Sequence, residues 1–135
     1  MLDERISSSV HETNRYFENK NNIACDIREL LKEELHMRLA NNEKILLIGH
    51  SLGSVIAYDT LWELSHLEEL PGKIDMFLTI GSPLAVRYVQ KKLMGHDQEG
   101  VKKYPTNIRH WVNISSVGGF HYAGNGAALY SITKS

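Results

Sequence analysis

Gly49-His50-Ser51-Leu52-Gly53 is the stretch of this chain whose residue types and spacing point to chemistry. It is a G-x-S-x-G pattern directly after a short apolar run and directly before a helical one. A serine nucleophile must stand clear of its sheet so that a base and a substrate can reach its hydroxyl. A sharp strand-to-helix turn achieves this and puts Ser51 in strained backbone space. Gly49 and Gly53 lack Cβ atoms, so the strand end and the helix start are expected to approach closely there. The same turn sets the Leu52 N–H at a helix N-terminus, where it can stabilise a developing oxyanion. Three fixed positions at roughly 7% usage arise by chance a few times in a hundred in a chain of this length. The flanking strand and helix lower that further.

The elements around the motif have to position it. Lys44-Ile45-Leu46-Leu47-Ile48 is a continuous apolar run of the kind buried on both faces of a parallel sheet. Residues 52–66 read as a helix, with Leu52, Val55, Ile56, Leu61, Trp62 and Leu64 supplying its apolar surface. Pro71-Gly72 makes a turn. A second strand spans 74–80 and ends at Gly81; Ser82 then caps a helix with Pro83 in its first position, running to about Met94. Residues 95–107 form a polar loop before a third strand at 108–115. Upstream, Ile23, Ile27, Leu30, Leu31, Leu35 and Leu39 mark an amphipathic helix over 23–40, with Asn21 or Asn22 at its start and Asn41-Asn42 at its end. Residues 3–18 have weak helical spacing, and the tail 120–135 has no clear period. Strands alternating with helices predict an α/β fold: a parallel sheet of about three strands, near 44–49, 74–80 and 109–115, flanked by helices.

Composition narrows the function classes. The 135 residues fit one domain, and 42% hydrophobic content can fill a core. A formal net charge of −1 argues against a polyanionic partner, and no nucleic-acid module is present. Charge is uneven, however: residues 84–135 carry Arg87, Lys91, Lys92, Lys102, Lys103, Arg109 and Lys134 against Asp97 and Glu99. That basic third can touch phosphates or anionic lipid, or form an ordinary solvated face. Cys25 is the sole cysteine, read as a small core residue, so no intrachain disulfide forms. The seven histidines hold no H-x-x-x-H pair, and there is no phosphate-binding or dinucleotide glycine motif, so no metal or cofactor is expected. Met1-Leu2-Asp3-Glu4-Arg5 opens with charges, no apolar run is long enough to span a bilayer, and a cytoplasmic protein is expected.

Residues 45–59, from Ile45 through Gly49-His50-Ser51-Leu52-Gly53 to Asp59, resemble the nucleophile elbow of lipase- and esterase-like serine hydrolases of the α/β-hydrolase superfamily. Phe77-Leu78-Thr79-Ile80-Gly81-Ser82-Pro83-Leu84 is similar to the next strand of lipase-like members, which often ends in T-x-G-S-P. Arg109-His110-Trp111-Val112-Asn113-Ile114 resembles the strand after it. The resemblance spans about residues 20–117, leaving 118–135 unassigned within a single partial hydrolase domain. It implies Ser51 as nucleophile and the Leu52 N–H as one oxyanion donor.

The departures from the family are specific. Its triad runs serine, acid, histidine. The acid should follow the third strand, but the chain reads Ser115-Ser116-Val117-Gly118-Gly119, and no Asp or Glu follows Glu99. Asp97 and Glu99 could serve only as a displaced acid. No strand precedes residue 44 to carry the loop with the second oxyanion donor. His121 is the best-placed base in chain order, against the plainer reading of an exposed tail histidine. His110, inside a strand, reads as a partnered structural histidine. His50 points away from its neighbour on a tight turn, and Asp59 reads as a structural hydrogen-bond partner.

The expected function is a serine hydrolase acting on carboxylic esters or lipids through a Ser51 acyl-enzyme, truncated and weakly active. A non-catalytic fold remnant serving as an interaction module is the alternative. An acyltransferase ranks third: G-H-S-L-G occurs at acyltransferase elbows, but Glu usually follows where this chain has Ser54. An open sheet edge beside 44–48 predicts self-association.

Overall fold

The computed structural model describes residues 4–115 and 128–133. Helix α1 (Glu4–Glu18) leads through a 3-10 turn to α2 (Ile23–Ala40). Strand β1 (Leu46–His50), helix α3 (Leu52–His66) and strand β2 (Ile74–Ile80) follow. Then come the short helix α4 (Arg87–Gln90), strand β3 (Ile108–Ser115) and strand β4 (Ala128–Thr133). The sheet runs β1-β2-β3-β4 in chain order, with every neighbouring pair parallel. The three expected strands are all present, and the chain forms a partial α/β fold.

This order fixes where the core lies. Right-handed crossovers between parallel strands taken in sequence put every connection on the same face of the sheet. Helix α3 and the 83–107 crossover do share one face, and α3 holds that crossover down by its polar groups. Asp59 Oδ1 accepts from Met94 N at 2.9 Å, Trp62 Nε1 donates to the Lys102 carbonyl at 2.8 Å, and Ser65 Oγ accepts from Thr106 N at 3.1 Å. Under α3 lie Phe77 and Trp111, ring centroids 5.1 Å apart, with Tyr58 6.0 Å from Trp111. Val55, Leu61, Leu64, Ile74, Phe77 and Val89 are fully buried. Trp111 Nε1 donates to Thr79 Oγ1, which donates to Asn113 Oδ1, so these three side chains form one hydrogen-bonded chain. On the opposite face Leu46 and Ile48 are 57% and 54% exposed.

Four expectations need correction. The buried stripe of α2 is Ala24, Arg28, Lys32 and Leu35, while Ile23 and Leu30 are exposed. The reason is an ion network: Glu63 on α3 takes Arg28 Nε at 2.7 Å and also the Lys32 ammonium, and Arg28 donates to Tyr16 Oη at 2.9 Å. The helix expected over 83–94 is a 3-10 turn at Pro83–Ala85 followed by α4, because Val86 is extended (φ −73°, ψ 122°). Gln90 Nε2 donates to the Leu84 carbonyl across that break. Neither Asn21 nor Asn22 caps α2 with its side chain; Asn19 Oδ1 accepts from Ala24 N at 2.8 Å instead. Finally, the tail contains β4, registered on β3 from His110↔Ala128 to Ser115↔Thr133.

Candidate functional site

Strand β1 ends at His50 and α3 begins at Leu52, so Ser51 alone makes the turn. Its backbone stands at φ 51°, ψ −124°, a conformation rare for a residue with a side chain. Such a residue costs about 1–3 kcal/mol and persists only where its surroundings enforce it. The enforcing contacts are local. Ser51 N donates to the Ile80 carbonyl at 3.0 Å, tying the turn to the end of β2. The Ser51 carbonyl accepts from Ser54 N at 3.1 Å and from Ser54 Oγ at 2.6 Å. Ser54 Oγ also lies 2.6 Å from Ser82 Oγ. Because the single Ser54 hydroxyl proton is committed to a carbonyl, Ser82 must donate in that pair. Ser82 Oγ accepts from Leu84 N at 3.1 Å, as the sequence reading of it as a cap required.

Gly49 is where close approach operates. A Cβ there would stand 2.6 Å from Ser54 Cα and 2.9 Å from Ser54 N, inside the backbone of α3. Gly53 does not share this role: a Cβ there meets nothing within 4 Å among the described residues. The expectation that both glycines permit the approach is therefore right for Gly49 and wrong for Gly53. Ser54 itself is fully buried.

Ser51 is half-buried at the C-terminal edge of the sheet, and Leu52 is the first residue of α3. First-turn N–H groups have no carbonyl four residues back, so the Leu52 N–H is one of the donors a helix offers at its start. His50 is exposed, its ring beside Gly81 at the end of β2: a Cβ on Gly81 would lie 3.7 Å from His50 Nε2.

The remaining candidates separate from this cluster. His121 lies outside the described residues. The chain leaves β3 at Ser115 on the same edge as Ser51 and re-enters the sheet at Ala128, so His121 falls between β3 and β4. Asp97 and Glu99 are exposed, on a loop whose Gly95 packs against Trp62. Trp62 is eleven residues along α3 from Ser51, roughly 16 Å at 1.5 Å per residue. His110 pairs with Met76, four residues before Ile114, roughly 13 Å from the edge that carries Ser51. It is exposed rather than partnered. Asp59 is a structural partner, as expected: buried, it accepts from Tyr16 Oη at 2.8 Å and from Met94 N. Burial pushes its carboxyl up to about 6, against the hydrogen bonds from Met94 and Tyr16 and the Arg28 charge.

Ser54 and Ser82 are the positioning residues that sequence reasoning did not single out for this turn. The available signal was a small polar residue three places after the candidate nucleophile and another in Gly81-Ser82-Pro83.

A strained serine between a parallel strand and a helix, in a partial α/β fold, places the chain in the α/β-hydrolase class, although the strand is covered on one face and not on both as its apolar run suggested. The sequence model of one family, Lecithin:cholesterol acyltransferase, matches residues 3–114, and the chain belongs to that family. The match takes in α1, extending the resemblance upstream of residue 20. No curated protein and no solved structure matches the chain.

Proposed function

We propose that the chain is an acyl-transfer unit acting on carboxylic esters of lipids, with Ser51 as its nucleophile. The observation that carries this is the Ser51 backbone at φ 51°, ψ −124°, held between β1 and α3. Strain of this kind collects where a functional group must be presented. In the reaction Ser51 Oγ bonds to the ester carbonyl carbon while its proton passes to a base. The carbonyl oxygen gains charge and is met by the Leu52 N–H. The proton then leaves with the departing alcohol, giving an acyl-enzyme and a free alcohol. Water or an acceptor alcohol releases the acyl group by the reverse steps. The family's name pairs a phospholipid with a sterol, which raises the acyltransferase reading from last place: the acceptor is an alcohol as readily as water.

Activity of the 135-residue chain is weak in this reading. Its only late histidine is His121, and no acid follows Glu99. Serine without an oriented base is a poor nucleophile at neutral pH, and loss of triad members costs several orders of magnitude in rate. A cytoplasmic setting accompanies the reading, on the single cysteine; no described helix is long and apolar enough to cross a membrane. The test is p-nitrophenyl butyrate hydrolysis by the wild type and Ser51→Ala. Slow release that disappears in Ser51→Ala is expected; release that persists in Ser51→Ala overturns the proposal. His121→Ala then reports whether that histidine supplies the base.

A second reading, an interaction module built on a hydrolase remnant, is favoured by the exposed apolar side chains of Leu46 and Ile48 on the helix-free face of β1.

A further inference from the structure

Away from Ser51, the crossover between β2 and β3 forms an open cavity of about 360 Å³ beside α3. Its walls come from two separate pieces of chain. Arg87 opens α4 and Lys91 caps its C-terminus, one turn apart and so on one face of the helix. Lys103 and Tyr104 form the facing wall, with the Lys103 ammonium 5.9 Å from the Tyr104 ring centroid. Tyr58 and Leu93, both buried, line the space between them. No lining residue is a carboxylate. None of the ion pairs among the described residues engages Arg87, Lys91 or Lys103. Asp59, next to Tyr58 in the chain, is buried and accepts from the Met94 N–H, and Asp97 and Glu99 on the exposed loop are not among the lining residues.

The wall formed by Lys103 and Tyr104 is also held in place. Asp59 holds Met94, Trp62 holds the Lys102 carbonyl, and His66 Nε2 lies 2.7 Å from the Tyr104 carbonyl. Gly95 (φ 80°) lets the loop seat against the indole: a Cβ there would fall 2.2 Å from Trp62 Nε1. A concavity lined by three cations that no described carboxylate pairs, with a polarisable ring and an apolar floor, suits a compact anion carrying an organic group. We propose that this cavity binds the phosphate group of a phosphate ester, with Arg87 and Lys91 on one side and Lys103 on the other. Tyr58 sits seven residues along α3 from Ser51, roughly 10 Å, so the site is separate from the turn and does not rest on the acyl-transfer reading.

The test is titration calorimetry of the full chain with inorganic phosphate and with glycerol 3-phosphate, alongside co-sedimentation with phosphatidylcholine vesicles with and without phosphatidic acid. The variants are Arg87→Gln/Lys91→Gln, both exposed and outside the core, and Lys73→Gln as an unrelated exposed lysine. Saturable binding of glycerol 3-phosphate is expected, at least fivefold weaker in the double variant and unchanged in Lys73→Gln. Vesicle binding that needs phosphatidic acid and is lost in the double variant assigns a lipid headgroup as the source. Binding of the soluble ester without vesicle binding assigns a soluble phosphate ester. No binding in either arm, or binding that the double variant retains at full strength, overturns the proposal.

Discussion

At Ser51 the backbone adopts a geometry that serine reaches only under constraint, and the constraint can be traced to three neighbours. Gly49 makes room for the start of α3, Ile80 anchors the Ser51 N–H, and Ser54 binds its carbonyl twice. Each can be perturbed alone. Gly49→Ala forces a Cβ against the Ser54 backbone and is expected to destabilise the fold by about 2 kcal/mol or more, read by urea denaturation. Gly53→Ala enters open space within a helix and is expected to be neutral or to stabilise by about 0.5 kcal/mol. Equal losses at the two positions would contradict the division of roles between them. Ser54→Ala removes the hydroxyl that links Ser51 to Ser82, for an expected cost of about 1–2 kcal/mol, and slows reaction of Ser51 with acylating reagents. The motif was legible in the sequence because three residue types at fixed spacing suffice to define it. The roles of Ser54 and Ser82 were not, because their partners lie 28 positions apart and are joined only by the fold.

Among the elements, the strands announced themselves and the helix faces did not. Lys44–Ile48 and Ile74–Ile80 are continuous apolar runs, so β1 and β2 were readable, as was α3, whose observed limits match the expected 52–66. Helix α2 misled because its buried stripe includes Arg28 and Lys32, whose charges Glu63 neutralises from α3; hydropathy counts those positions as exposed. Helix α1 gave little signal because it docks through Thr13 and Tyr16, the latter bonded to Asp59 and Arg28. Strand β4 is short and follows a glycine-rich stretch, and parallel pairing to β3 leaves no local mark. Two predictions belong here. Glu63→Ala takes from buried Arg28 its one ion-pair partner among the described residues and leaves Lys32 with Glu29 and Glu68 alone, and is expected to cost about 3 kcal/mol in denaturation experiments. Asp59 supplies the pH dependence. Its carboxyl, raised by burial from the ordinary carboxylate range to about 6, holds a proton more tightly folded than unfolded. The stability it contributes is therefore full below about pH 4 and lost as pH rises through about 6, by roughly 3 kcal/mol in all. Denaturation of wild type and Asp59→Asn at about pH 4 and about pH 7.5 should show the wild type gaining relative to the variant at the lower pH. A constant difference would contradict the assignment.

For the molecule as a whole, the described connections of the parallel sheet, α3 and the 83–107 crossover, lie on one face. The apolar side chains of Leu46 and Ile48 stand open on the other, beside the unpaired edge of β1. Exposed apolar area on a strand edge invites pairing. Sedimentation velocity is expected to show concentration-dependent self-association that Ile48→Lys weakens; a monodisperse wild-type monomer at high concentration would contradict this. Membership of the lecithin:cholesterol acyltransferase family and the strained turn converge on a single claim, that Ser51 is a nucleophile able to hold an acyl-type adduct. The most direct measurement is prolonged exposure to a fluorophosphonate, followed by intact-mass and peptide mass spectrometry of the wild type and Ser51→Ala. One slowly formed adduct per chain is expected, on Ser51, and none in Ser51→Ala. An unmodified wild type, or an adduct that survives the substitution, would contradict it.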